Sequence, residues 1–207
     1  DSEAKVLISA AGVREIAEAV VPLLPEGVTA VSYGGEVAGH GSYEELLATG
    51  TEPLAEMPRG ADMLYSSGTT GRPKGVKGPL PEFAVDEPGD PVTMLLVTVF
   101  GLDADTRYLS AAPIYHAAPL RWCCSVHSGG GTVYLTRRFD AEQSLRAIEE
   151  HAITHVQLVP TMFVRMLQLP DDVRSRYDHS SLRMAVHAAA PCPPEVKRAM
   201  IEWWGPV

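Results

Sequence analysis

The sequence predicts a layered α/β fold, a mostly parallel sheet with helices on both faces. Short β-branched runs such as Val28-Thr29-Ala30-Val31-Ser32-Tyr33 and Thr154-His155-Val156-Gln157-Leu158-Val159 alternate with segments of helical periodicity along the chain. That alternation implies parallel pairing through right-handed crossovers. In addition, three loops rich in small, hydroxyl or histidine residues follow directly on strands, where open parallel sheets hold their ligands.

The elements follow in order. Residues 5–9 form a strand around Val6-Leu7-Ile8, and apolar residues at 13, 16, 17, 20 and 21 place a helix over 13–21. Pro22, Pro25 and Gly27 end it, and a strand over 28–33 completes a β-α-β unit. Ser42-Tyr43-Glu44-Glu45 is a capping box, Ser42 bonding the Glu45 N–H and the Glu45 carboxylate reaching back, so 43–48 is helical up to Gly50. A strand over 62–65 enters the first loop. Residues 78–91, with Pro79, Pro81, Pro88 and Pro91, form an irregular surface excursion. Asp90 caps a helix with Pro91 first, running to Gly101. A strand over 107–111, a helix over 120–127, a glycine hinge and a strand over 132–136 come next. Asp140 caps a helix over 141–151, with Gln143 at the capping-box position. A strand (154–159), a helix (161–169), a strand (182–186) and a helix (194–204) complete the chain.

At 45% hydrophobic and 21% charged, the 207 residues make a globular chain, expected to be one domain or part of a larger one. The net charge of −9 argues against a nucleic-acid or anionic-membrane surface, so local donors must hold any anionic ligand. Three cysteines, Cys123, Cys124 and Cys192, make no even disulfide framework, which points to a reducing, cytoplasmic setting. No run reaches the ~18 apolar residues of a membrane span, and the start, Asp1-Ser2-Glu3-Ala4-Lys5, lacks the pattern of a signal peptide. An opening residue other than Met leads us to expect a trimmed chain.

The densest chemistry lies in Tyr65-Ser66-Ser67-Gly68-Thr69-Thr70-Gly71-Arg72-Pro73-Lys74-Gly75. Its glycines let the backbone turn and approach a ligand closely, and such loops aim successive N–H groups at an anion. Ser66, Ser67, Thr69 and Thr70 add hydroxyl donors, while Lys74 and Arg72 supply positive charge. Lys74 lies between Pro73 and Gly75 rather than opening a helix, so this is not a Walker loop.

This run resembles the AMP-binding signature of the adenylate-forming enzymes, a family of acyl-CoA synthetases, peptide-synthetase adenylation domains and luciferases. The resemblance implies nucleotide-phosphate binding by Ser66, Ser67, Gly68, Thr69, Thr70, Gly71 and Lys74. Pro113-Ile114-Tyr115-His116 is similar to a second family motif, which makes His116 a candidate catalytic residue between the carboxylate pocket and the thiol tunnel. By chemistry alone, the His116 ring can hydrogen-bond a carboxylate or acyl phosphate and pack on it. Ala188-Ala189-Ala190-Pro191, preceded by His187, resembles the small-residue segment against the adenine and acyl pockets. Ala188 stands where the family commonly has glycine, and tight helix-to-sheet packing accounts for these small residues equally well. Met162 and Phe163, after Val159-Pro160, are either pocket or core residues. His151 and His155 straddle a strand start with no third ligand nearby, so no metal site is expected.

The resemblance further implies ATP, Mg2+ and CoA, and a small-molecule carboxylic acid as substrate. The family's magnesium motif, ribose-binding Asp and C-terminal domain with its lysine have no counterpart in these residues. The resemblance thus implies a single partial α/β nucleotide-binding domain over 1–207, the central part of an acyl-CoA synthetase, expected to bind nucleotide at best without turnover. Two alternatives are an adenylation domain that loads a carrier protein, and a non-catalytic chain that binds nucleotide or self-associates, for instance as a homodimer.

Overall fold

The computed structural model describes residues 3–50, 52, 54–66, 73–87 and 90–207, which group into two compact units, 1–87 and 88–207. In the first unit, β1 (Val6–Ala10) pairs in parallel with β2 (Thr29–Tyr33), and β2 with the two-residue β3 (Gly41–Ser42). Helix α1 (Arg14–Val20) makes the crossover between β1 and β2, as the 3.6-residue spacing of its apolar side chains requires. Helix α2 (Tyr43–Thr49) starts at Ser42, whose hydroxyl accepts the Glu45 N–H at 3.2 Å. The carboxylate that meets the cap is that of Glu44 rather than Glu45, its Oε2 accepting from the Ser42 hydroxyl at 3.2 Å.

Strand β4 (Met63–Ser66) enters the first loop as predicted, but its partner is β5 (Lys74–Lys77), in antiparallel register Met63 to Lys77 through Ser66 to Lys74. The reason is length. The connection between them is far shorter than the dozen or more residues a parallel crossover needs, so only a hairpin can close. The excursion at 78–91 carries no strand or helix among its described residues before Pro91. It is tied back by a bridge between Pro58 and Ala84, and the Arg59 guanidinium lies 5.5 Å from the Phe83 ring centre.

The second unit is built on a four-stranded parallel sheet in the order β7 (Thr132–Leu135), β6 (Arg107–Ser110), β8 (His155–Leu158), β9 (Met184–His187). Pleating sends Tyr108 to one face, against α3 (Pro91–Phe100) and α4 (Ala117–Ser128), where Leu96, Leu102, Trp122 and Val126 close a small core. Leu109, Val156 and Leu158 point to the other face, into a larger core with α5 (Ala141–Glu150), α6 (Pro160–Leu167), the one-turn α7 (Asp171–Arg174) and α8 (Pro194–Trp204). Helices thus cover both faces, as the alternation predicted. β8 is buried at every residue, although two of its four are polar. The His155 Nε2–H donates to the Phe100 carbonyl at 2.9 Å, because a carbonyl can only accept, and Nδ1 faces the Thr154 hydroxyl at 2.8 Å. Burial pushes the His155 pKa down.

Candidate active site

The carboxyl ends of β6, β8 and β9 are neighbours in the sheet, and each delivers one of the segments singled out in the sequence. β6 leads through Ala111 and Ala112 to Tyr115 and His116. His116 is the N-cap of α4, with extended φ and ψ of −82° and 148°, and its carbonyl accepts the Leu120 N–H at 3.1 Å. Its side chain is exposed, with the Tyr115 ring 4.5 Å away. α4 starts at Ala117, three residues before the sequence placed it, because Pro119 falls in the first turn, where a missing N–H costs nothing.

β9 ends at His187, which pairs with Leu158, and the Ala188 N–H continues the ladder to the Leu158 carbonyl at 3.2 Å. The strand runs two residues later at its start than the sequence suggested. Leu182 is apolar because its side chain is buried in the larger core, while its N–H closes a turn on His179. The His187 ring lies edge-on to Phe163 at 6.1 Å. Ala189 has φ of +71°, a left-handed conformation that a side chain resists, and Ala190 is exposed beside it. Met162 and Phe163 belong to the larger core, Phe163 buried and Met162 packed against it.

The helices that leave these ends share one property. α4, α6 and α8 carry no side-chain cap, whereas α5, after the edge strand β7, is capped by Asp140 through the Gln143 N–H at 2.9 Å. Helix N-termini left open in this way favour negative charge. The carboxyl ends of the three strands therefore combine an imidazole, an open backbone segment and positive helix ends.

In the first unit, Ser66 and Lys74 close the hairpin as its last cross-strand pair, both exposed. They bring one hydroxyl and one ammonium to the two ends of the signature loop. Ser67, Gly68, Thr69, Thr70, Gly71 and Arg72 lie outside the described residues. Gly75 sits across from Tyr65, and a Cβ there would meet the Tyr65 ring at 3.2 Å and the Met63 side chain more closely still.

A groove of about 300 Å3 runs along β9 and is lined by all four of its residues together with Phe100, Phe163, Met200 and Trp204. Consecutive residues of an edge strand line it, so it is the unpaired edge of the sheet rather than an enclosed pocket. The sequence offers two of its lining residues, Phe163 and His187, as pocket candidates, but not the contribution of α8. The signal that would have shown it is the pairing of Met200 with Trp204, one turn apart on α8. Among the described residues no group of three His, Cys, Asp or Glu side chains could hold a metal, and His151 instead stacks on Tyr134 at 4.5 Å. Nor is any helix among them long and apolar enough to cross a membrane.

A parallel α/β sheet with its candidate groups at the strand carboxyl ends is the architecture in which ligands bind outside those ends, and here it is joined in sequence to a hairpin closed by a serine and a lysine. The family model for AMP-binding enzymes matches residues 1–207, and the chain belongs to that family. Among curated relatives it is similar to 4-coumarate--CoA ligase 5 of Oryza sativa subsp. japonica, 31% identical over 83% of this chain and 32% of that protein. It is likewise similar to a feruloyl-CoA synthase of an Amycolatopsis species, 38% identical over 73% of this chain and 30% of that one. The solved structure of ATP-bound MatB from Rhodopseudomonas palustris superposes with a TM-score of 0.70 at 26% identity, over 99% of this chain and 38% of that chain. The chain spans only about a quarter to a third of the length of the curated relatives it matches.

Proposed function

We propose that the protein carrying this chain activates a carboxylic acid with ATP, forming an acyl-adenylate and pyrophosphate, and then transfers the acyl group to the thiol of CoA. The observation that carries this reading is the family match over the whole chain, and the CoA-ligase names of its relatives favour CoA as acceptor. In the first step a carboxylate oxygen attacks the α-phosphorus and the bond to the pyrophosphate oxygen breaks. The negative charge that builds on the leaving group needs fixed donors, the usual means by which phosphoryl chemistry is accelerated.

Lys74 and the Ser66 hydroxyl, with Ser67, Thr69, Thr70 and the backbone at Gly68 and Gly71, would supply those donors. His116, exposed at the N-terminus of α4, would orient the carboxylate and later the acyl phosphate. His187 and the backbone from Ala188 to Ala190 would flank adenine and the acyl group, where small side chains permit close approach. Mg2+ would neutralise phosphate charge when bound, but the described residues offer no ligand set for it, and we assign it none. The test is acid-dependent exchange of labelled pyrophosphate into ATP by the full-length protein, against a panel of aliphatic and aromatic acids. Exchange with at least one acid, followed by CoA-dependent thioester formation, is expected. ATP hydrolysis without acid-dependent exchange would overturn the reading.

A further inference from the structure

The amino ends of the same four strands surround a second feature, a polar hollow of about 660 Å3. Arg107 opens β6, Thr132 opens β7, and Thr154 and Arg183 stand one residue before β8 and β9, so all four strands converge on it. The main-chain N–H groups there are already used. That of Arg107 goes to the Thr154 hydroxyl at 2.9 Å, that of Thr132 to the Thr106 carbonyl at 2.8 Å, and that of Arg183 to the Thr154 carbonyl at 2.8 Å. Recognition must come from side chains.

The guanidinium groups have donors to spare. Arg107 gives one N–H to the His151 carbonyl at 3.3 Å, and Arg183 pairs with Asp103 at 3.6 Å while its side chain stays 56% exposed. Each guanidinium carries five N–H donors, so most remain for a ligand. The wall also holds Asp105 and Thr132, both exposed, one bringing a carboxylate and the other a hydroxyl. Ala152, on the rim, holds φ of +46° because it terminates α5, the N–H of the following Ile153 reaching back to the Ile148 carbonyl at 3.0 Å.

Donors and acceptors therefore face one hollow together. A bare anion would satisfy the arginines but meet Asp105, and a bare cation would do the reverse. A molecule with an anionic group and several hydroxyls satisfies both. We propose that this hollow binds a small phosphate ester of a polyol, its phosphate on Arg107 and Arg183 and its hydroxyls on Asp105 and Thr132. The site is built at the opposite end of the strands from His116 and His187 and is independent of the activity proposed above.

The experiment is a titration of the full chain with glycerol 3-phosphate, followed by amide nitrogen–proton correlation spectra. The amides of Asp105, Ala152, Ser180 and Arg183 are expected to shift. Arg107→Gln and Arg183→Gln should each weaken binding by about tenfold or more, as loss of a charge-assisted pair does, and the spectra themselves confirm that the variants fold. Asp105→Asn should remove the preference for glycerol 3-phosphate over inorganic phosphate. Shifts confined to residues 66–77, affinity unaltered by either arginine variant, or no shift at roughly 20 mM ligand would overturn the proposal.

Discussion

Ala189 holds φ of +71° at the carboxyl end of β9. A Cβ in this conformation costs about 1–2 kcal/mol, and glycine gives back part of the gain through the freedom it adds to the unfolded chain. Ala189→Gly is therefore expected to stabilise the protein by about 0.5–1 kcal/mol, read as a higher urea midpoint at unchanged slope. The strain was invisible in the sequence, where three alanines in a row look alike. His155 gives the second prediction at this scale. Its folded pKa is depressed by burial, so below about pH 6.5 the unfolded chain binds a proton that the folded one resists. Stability conferred by the neutral ring is complete above that value and is lost as pH falls below it, down to the folded pKa. Urea midpoints measured from pH 7.5 to 5 should decline, and His155→Gln should flatten that decline. An equal decline in the variant would place the titration elsewhere.

At the scale of elements, the helix starts were the most legible part of the chain, because a cap is a local arrangement of one side chain and one N–H. Asp90 accepts the Thr93 N–H at 2.8 Å and Asp140 the Gln143 N–H at 2.9 Å, as their positions ahead of apolar periodicity indicated. Asp140→Ala should cost about 1 kcal/mol, measured by thermal or urea unfolding. The elements that were missed are those whose reason is not local. β3 has two residues and exists because β2 offers it an edge. β5 is a strand because β4 lies opposite it, and its sequence, Lys-Gly-Val-Lys, has little strand character of its own. The helical turn at Asp171–Arg174 was also overlooked. The glycine hinge before β7 proves to be a close approach: a Cβ on Gly131 would lie 2.8 Å from the Thr106 carbonyl oxygen and 2.9 Å from Val126 Cγ1. Since the first of these atoms belongs to backbone that cannot move aside, Gly131→Ala should destabilise by about 1–3 kcal/mol in the same unfolding assay.

At the scale of the molecule, the parallel α/β order of the second unit followed from the sequence, because covering both faces of a sheet demands a repeated alternation of strand and helix. The sequence also marked the carboxyl-end segments of β6 and β9 and the ends of the signature loop. It did not show which side chains reach which neighbours: His187 meeting Phe163, or Ser66 and Lys74 facing each other across the hairpin, depends on register between strands. Register is a pairwise property of two segments and leaves little trace in either alone. With a net charge of −9 the chain as a whole repels polyphosphate, so the grip proposed for it would have to be local.

The proposed grip is the central claim, and Lys74 would bear its charge. Pyrophosphate exchange by the full-length protein, comparing Lys74→Ala with the unaltered enzyme on its best acid, tests it most directly. The account predicts a fall of about a hundredfold or more in exchange rate, as expected when a donor to developing charge is removed. An unchanged rate would contradict it.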